Sequence, residues 1–232
     1  MSSSVSEQMQ FAPAYPLLYR ALKPLFPGCL WSGDATDRTI ALTFDDGPHP
    51  RYTPALLSVL ERYGVTASFF WLGQCVERSP ATARAVYEQG HWIGLHGYDH
   101  QAFPLLSATA LKQTLVRTQT EIAQACQLAP AAVRDVRPPT GLFTPRTLAL
   151  LQQWQYRSVM WSVVPEDWVR PGVMTSVQRI LQQVQPGSII VLHDGYYGGA
   201  DVAATVAQLI PLLTAQNYRF VTINELWQSQ CL

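Results

Sequence analysis

Several things are scarce in this 232-residue chain. Charge of a single sign is the first: 16 Lys and Arg balance 16 Asp and Glu, and no basic cluster stands out. That balance argues against a nucleic acid or an anionic membrane as partner. Cysteine is the second. Cys29, Cys75, Cys126 and Cys231 lie far apart, without the paired spacing of a zinc finger or a small disulfide framework, so they read as reduced thiols. Long apolar runs are also missing, and none approaches the roughly 18 residues of a membrane span. The first residues, Met1-Ser2-Ser3-Ser4-Val5-Ser6-Glu7, carry no basic start and no hydrophobic stretch of the signal-peptide kind, so the expected location is the cytoplasm. No internal repeat or low-complexity linker interrupts the region after residue 38.

What is present is apolar and periodic. Hydrophobic residues make up 48% of the chain, enough for one sizeable core. Residues 1–38 read as an N-terminal extension: a polar, Ser-rich start to Gln10, then Phe11 to Gly28 with Leu17, Leu18, Leu22 and Leu25 at the spacing of a short packing helix. From Thr39 to the end the pattern is that of one domain. Strands are expected at 39–44, 67–72, 92–96, 133–137, 157–161, 188–192 and 219–223. Helices are expected at 53–63, 80–89, 108–126, 145–154, 176–185 and 202–215. Seven strands alternating with helices point to parallel pairing, in a barrel or an open α/β sheet.

The chemistry-bearing residues choose one register on that scaffold. Asp45-Asp46 follow the first expected strand, His96 closes the third with His100 just beyond, and Arg137 closes the fourth. Asp167-Trp168 follow the fifth and His193-Asp194 the sixth. In parallel α/β barrels the carboxyl ends of the strands share one face, where catalytic groups converge. Asp-Asp-Gly-Pro alone also suits an Asx turn whose carboxylates only cap amides, with Gly47 and Pro48 as the turn formers. Two histidines separated by three residues can equally be one packed and one exposed side chain. Joined by Asp46, however, His96 and His100 make a two-His, one-Asp set that leaves positions open on a metal ion.

Thr43-Phe44-Asp45-Asp46-Gly47-Pro48, His96 to His100, Arg137-Pro138-Pro139, Asp167-Trp168 and Leu192-His193-Asp194 resemble, in the same order, the motifs of polysaccharide deacetylases. These are the enzymes of carbohydrate esterase family 4, with the nodulation-protein-B homology domain. The resemblance implies a distorted (β/α)7-type, TIM-like barrel over 39–232 and removal of N-acetyl groups from N-acetylglucosamine polymers such as peptidoglycan or chitin. It also implies one divalent metal on Asp46, His96 and His100, with zinc favoured and Co, Mn, Ni or Fe acceptable to the same donors. Asp45 would be the base, held by Arg137, and His193 the acid, oriented by Asp167. The Thr140 amide would face the oxyanion, and Trp168 and Val191 would line the acetyl pocket. Tyr98, Trp168, Tyr196 and Tyr197 are candidates for stacking on sugars, and His49 and His91 are expected to be structural.

Four positions depart from the family's pattern: Leu95, Gly97, Thr140 and Val164. Gly97 removes an expected side-chain brace from the metal loop, and Thr140 removes an aromatic wall from the pocket. Other uses of the same site are O-acetyl ester hydrolysis on xylan-like glycans and silent carbohydrate binding.

Overall fold

The computed structural model describes residues 14–229. The expected run of polar residues up to Gln10, and Cys231, lie outside the described residues. The elements are α1 Tyr15–Leu22, β1 Cys29–Leu30, β2 Thr39–Asp45, α2 Tyr52–Tyr63, β3 Ser68–Trp71, α3 Gly73–Arg78, α4 Pro80–Glu88, β4 Trp92–Leu95 and α5 Ala108–Cys126. Then come β5 Asp135–Val136, α6 Pro145–Gln153, β6 Arg157–Val159, α7 Val173–Gln183, β7 Ile189–His193, α8 Gly199–Ala215, β8 Arg219–Phe220 and α9 Ile223–Ser229.

All strand pairings are parallel, in the order β1-β6-β5-β4-β3-β2-β7, with β8 set beside the start of β2. Past β6 the chain returns toward β7, where Val163 forms an isolated bridge with Ile190 and the Ser162 amide donates to the Ile189 carbonyl. The sheet therefore curls around on itself as a distorted barrel ringed by helices. Two expectations need correcting. The strand expected at 219–223 shrinks to Arg219–Phe220 and sits off the main path, because the chain enters α9 at Ile223. Its place in the seven-strand series is taken by Cys29–Leu30, too short to show any period in the sequence.

Strand parity decides what faces where. In β2, Ile40, Leu42 and Phe44 pack into the large core under the helices, as do Phe69 and Trp71 of β3 and Ile190 and Leu192 of β7. The alternate residues Ala41, Phe70, Ile189 and Val191 fill the barrel interior with Val159, Met160 and Trp161. Asp45 and His193 fall on the interior parity. Both faces of the sheet are thus buried, which is why the strands read as continuous apolar runs rather than alternating ones.

The amino end of the barrel is closed by α9, whose Leu226 and Trp227 pack into the interior cluster. Asp135 anchors that end. Completely buried, it accepts from Arg157 Nε and Nη2 at 2.7 Å each, from Trp92 Nε1 at 2.6 Å and from Trp227 Nε1 at 3.1 Å. His91 and His49 also have structural places. His91 Nδ1 accepts from the Ala67 amide and burial pushes its pKa down to about 4, while His49 Nδ1 accepts from the Arg51 and Tyr52 amides at the start of α2. Cys29, Cys75 and Cys126 are free thiols whose pKa burial pushes up to about 11. No described helix is long and apolar enough to cross a membrane.

Asp135→Ala leaves a mostly buried guanidinium and two indole N–H groups without their acceptor. We expect a loss of about 3 kcal/mol, read as a lower urea midpoint at unchanged slope. A midpoint equal to wild type would show that the cluster does not anchor this end.

Candidate active site

The loops that leave the carboxyl ends of β2, β4, β5, β6 and β7 meet at the opposite end of the barrel. The first of them begins earlier than its sequence suggests. Asp46 itself takes a left-handed backbone, φ 71°, which breaks strand alternation and lets its side chain serve the same site as Asp45. Gly47, followed by a cis bond to Pro48, is required for space instead, since a side-chain carbon there would collide with the Asp194 carboxylate.

Asp45 is buried and held by a buried cation. Arg137 Nη1 donates to Asp45 Oδ1 at 2.7 Å and also reaches Thr43 Oγ1 at 2.7 Å, while Nη2 donates to the Met160 carbonyl at 2.9 Å. The guanidinium also lies 4.1 Å from the Phe70 ring centroid. A fork held this firmly orients the carboxylate, because Oδ1 is occupied and Oδ2 is turned toward His96 Nε2, 3.9 Å away.

Asp46, His96 and His100 form a cluster whose candidate ligand atoms all lie within 4.8 Å of one another. Asp46 Oδ1 stands 3.6 Å from His96 Nε2 and 3.4 Å from His100 Nε2, and this buried oxygen has no hydrogen-bond partner among the described residues. Two ligands about 2.0–2.1 Å from a tetrahedral ion are roughly 3.4 Å apart, so the spacing fits a shared cation. The chemistry of the donors fits as well. His96 Nδ1 contacts the Arg137 carbonyl at 2.8 Å; donation there leaves the Nε2 lone pair for the cluster. Burial holds His96 below the usual imidazole range against the pull of Asp45 and Asp46, so the ring is neutral, as a ligand must be.

The brace expected to be missing at Gly97 is supplied by the backbone. Gly97 has φ 80°, where a side chain is strained, and the α3 amides of Gly73 and Gln74 donate to the Gly97 and Tyr98 carbonyls at 3.0 Å. Thr114 Oγ1 accepts from the Tyr98 amide at 2.9 Å. Tyr98 is correspondingly occupied: Arg117 lies 3.6 Å over its ring and its hydroxyl bonds Glu77.

His193 ends β7 and is the register partner of Asp45 in β2, so the two belong to neighbouring strands at the same height. Its Nδ1 lies 2.8 Å from Asp167 Oδ1, and its amide donates to Asp167 Oδ2 at 2.8 Å. Burial alone would discourage the imidazolium, but Asp167, with smaller help from Asp46 and Asp45, raises the pKa to about 10. Trp168 sets its ring edge-on to His193 at 5.3 Å, and Val191 is buried two residues before His193 on the same strand face. Thr140 also has a left-handed backbone, φ 59°, in the turn Pro139–Gly141, where first-turn amides lack intrahelical acceptors. Val164 is buried, with Gln183 bonding both its amide and its carbonyl. Leu95 is buried in the core. Tyr196 and Tyr197 are exposed on the loop after β7.

All the proposed side chains therefore reach one end of the barrel, and a residue without an assigned role joins them. Asp194 is fully buried beneath the Asp46-Gly47-Pro48 turn, its Oδ2 accepting from Thr53 Oγ1 at 2.5 Å and its amide donating to the Asp45 carbonyl at 3.1 Å. Burial pushes its pKa to about 7, with Asp46 and Asp45 adding to the rise. Its place directly after His193 was the only signal in the sequence.

A family model described as Polysaccharide deacetylase matches residues 32–159. The chain is 33% identical over 201 residues to a peptidoglycan-N-acetylglucosamine deacetylase of Bacillus cereus, covering 84% of this chain and 91% of that one. It is 36% identical over 185 residues to a chitooligosaccharide deacetylase of Bradyrhizobium sp. (strain ANU 289), covering 79% and 84%. Among solved structures, the Bc1960 peptidoglycan N-acetylglucosamine deacetylase superposes with a TM-score of 0.83 at 28% identity, over 87% of this chain and 94% of that one.

The His193–Asp167 contact sets a sign. A folded pKa of about 10 against an ordinary 6.5 adds stability that is complete below pH 6.5 and is lost as the pH rises through 10. We expect Asp167→Asn to bring the NMR titration midpoint of His193 down by more than one unit in metal-free protein. An unchanged midpoint would mean that Asp167 does not support the charge.

Proposed function

We propose, from the premise that this chain belongs to the polysaccharide deacetylase family, that it hydrolyses N-acetyl groups on N-acetylglucosamine-containing glycans. One observation carries the reading. Asp45 and His193 are register partners at the mouth of the barrel, each fixed by its own charged partner, next to the Asp46, His96 and His100 cluster.

Asp46, His96 and His100 are the residues to hold one divalent cation; two imidazoles and a carboxylate accept Zn, Co, Mn, Ni or Fe, and the family resemblance favours zinc. When bound, the cation supplies Lewis acidity for the acetyl carbonyl and lowers the pKa of water beside it. The chain's own groups do the rest. Arg137 occupies Asp45 Oδ1 and leaves Oδ2 to accept the proton that water gives up as it attacks the amide carbon. The Thr140 N–H is the candidate donor to the oxyanion that develops on the carbonyl oxygen. His193 has its Nδ1 committed to Asp167, so Nε2 is the atom that delivers a proton to the amide nitrogen as the C–N bond breaks. That proton is essential on an amide, because a sugar amine does not leave as an anion. Trp168 and Val191 give the acetyl methyl an apolar wall.

Acetate release from N-acetylglucosamine oligomers tests the reading directly. Chelation should abolish release, and adding Zn, Co or Mn should restore it; no release with any ion despite measured ion binding would overturn it. Asp46→Ala should weaken Zn binding by calorimetry more than about a hundredfold, since even outer-shell partners are worth that much. His193→Ala should keep the metal yet lower turnover of the amide by about 10²–10⁴-fold. On an activated aryl acetate, whose leaving group needs no proton, the same variant should lose little. Equal losses on the two substrates would remove His193 from the acid role.

A further inference from the structure

The helix that precedes the barrel does not stand apart from the site. Its first residue, Tyr15, sets its ring edge-on to Trp161 at 5.5 Å and to Trp168 at 6.5 Å, and Trp168 is itself edge-on to His193 at 5.3 Å. Trp161 in turn sits under Gly141, where a side-chain carbon would come within 2.8 Å of the indole. One aromatic layer thus runs from the Pro139–Gly141 turn, through Trp161 and Tyr15, to Trp168 and the His193 ring.

The loop that bears Trp168 needs such support. Asp167–Val169 is a single turn flanked by Glu166 at φ 57° and Arg170 at φ 53°, left-handed conformations that non-glycine residues keep only when their surroundings impose them. At the other end α1 is moored beside β1. Lys23 Nζ donates to Ser32 Oγ at 2.7 Å, Tyr19 OH to the same oxygen at 3.1 Å, and the Tyr19 ring lies 6.3 Å from Trp31. Edge-on aromatic contacts prefer a particular geometry, so a ring held this way transmits position and not only bulk.

We propose that Tyr15 is a positioning residue for the acid step: through the ring contact with Trp168 it holds the Asp167-Trp168 turn, and with it His193, in the orientation from which Nε2 reaches the amide nitrogen. The N-terminal helix is then part of the reaction site. The proposal rests on the deacetylase reading above, and it assigns the role to the ring and not to the hydroxyl, which makes no hydrogen bond to a described residue and meets Glu166 only through its charge.

The test compares Tyr15→Ala, Tyr15→Leu and Tyr15→Phe in the full chain loaded with Zn, each confirmed as folded by circular dichroism at the assay temperature. Acetate release from N-acetylglucosamine oligomers is measured beside hydrolysis of an aryl acetate. Tyr15→Ala should lower kcat on the amide about tenfold, in the range that small misplacements of catalytic groups cost, and lower aryl acetate turnover several-fold less, because that substrate shares the Trp168 wall but needs no proton from His193. Tyr15→Leu should share the defect, because it keeps apolar bulk without a ring, and Tyr15→Phe should restore wild-type kcat. An equal fall on both substrates, an unchanged amide kcat, or full activity in Tyr15→Leu overturns the proposal. If Tyr15→Ala does not fold, the comparison of Tyr15→Leu with Tyr15→Phe decides alone. Wild-type protein that releases no acetate fails the deacetylase reading instead, whatever the variants do.

Discussion

The ion pair between Arg137 and Asp45 holds this site together. Placing both groups in the barrel interior carries a desolvation cost of several kcal/mol per ion, which mutual attraction offsets only with good geometry and additional hydrogen bonds. Here the geometry is good and both terminal nitrogens are engaged: Thr43 and the Met160 carbonyl accept beside Asp45, and Phe70 offers its ring face, while the buried Nε has no hydrogen-bond partner among the described residues. Thr43 passes the restraint on by donating to the Ile190 carbonyl at 2.8 Å, which ties β2 to β7 just below His193. The Arg137 carbonyl orients His96. One residue at the end of β5 therefore aims both the carboxylate proposed as base and one of the candidate metal ligands.

Around that pair the site is built from turns that the chain would not adopt unaided. Asp46, His100, Thr140, Glu166 and Arg170 all take positive φ, and all lie at the catalytic end. Such conformations survive where packing over-determines them. Asp194 does this beneath the first turn, the α3 amides beneath the metal loop, and the aromatic layer of Tyr15 and Trp161 beside the Asp167-Trp168 turn. The barrel strands supply rigid origins, and the turns supply direction.

Much of this was legible in the sequence because its cause is local. The helix at Ala108–Cys126 has a Ser107 cap, a long amphipathic period and a left-handed end at Gln127, and its limits follow from those residues alone. β2 and β7 read clearly because burial on both faces demands unbroken apolar runs. β1 and β8 did not, since two residues carry no period and their pairing is chosen by distant partners. The missing brace at Gly97 illustrates the same limit: its replacement comes from α3, more than 20 residues earlier in the chain. The matched family model stops at residue 159, short of Asp167 and His193; the β2–β7 pairing sets His193 beside Asp45, and Asp167 joins it through its bonds to the His193 ring and amide.

The sequence by itself determined which chemistry is available: two adjacent carboxylates at a strand end, two histidines four residues apart, and a further histidine and aspartate downstream, all at carboxyl ends of strands. Residue type and strand parity are properties of the chain, so they can be read in one dimension. The tertiary structure decided how those groups are aimed. The left-handed turn at Asp46, the burial that keeps His96 neutral, the carboxylate that keeps His193 charged, and the reach of Tyr15 into the catalytic end each depend on contacts between segments far apart in the sequence. Protonation and orientation are set by the local dielectric and by neighbouring charges, and these exist only once the barrel has closed.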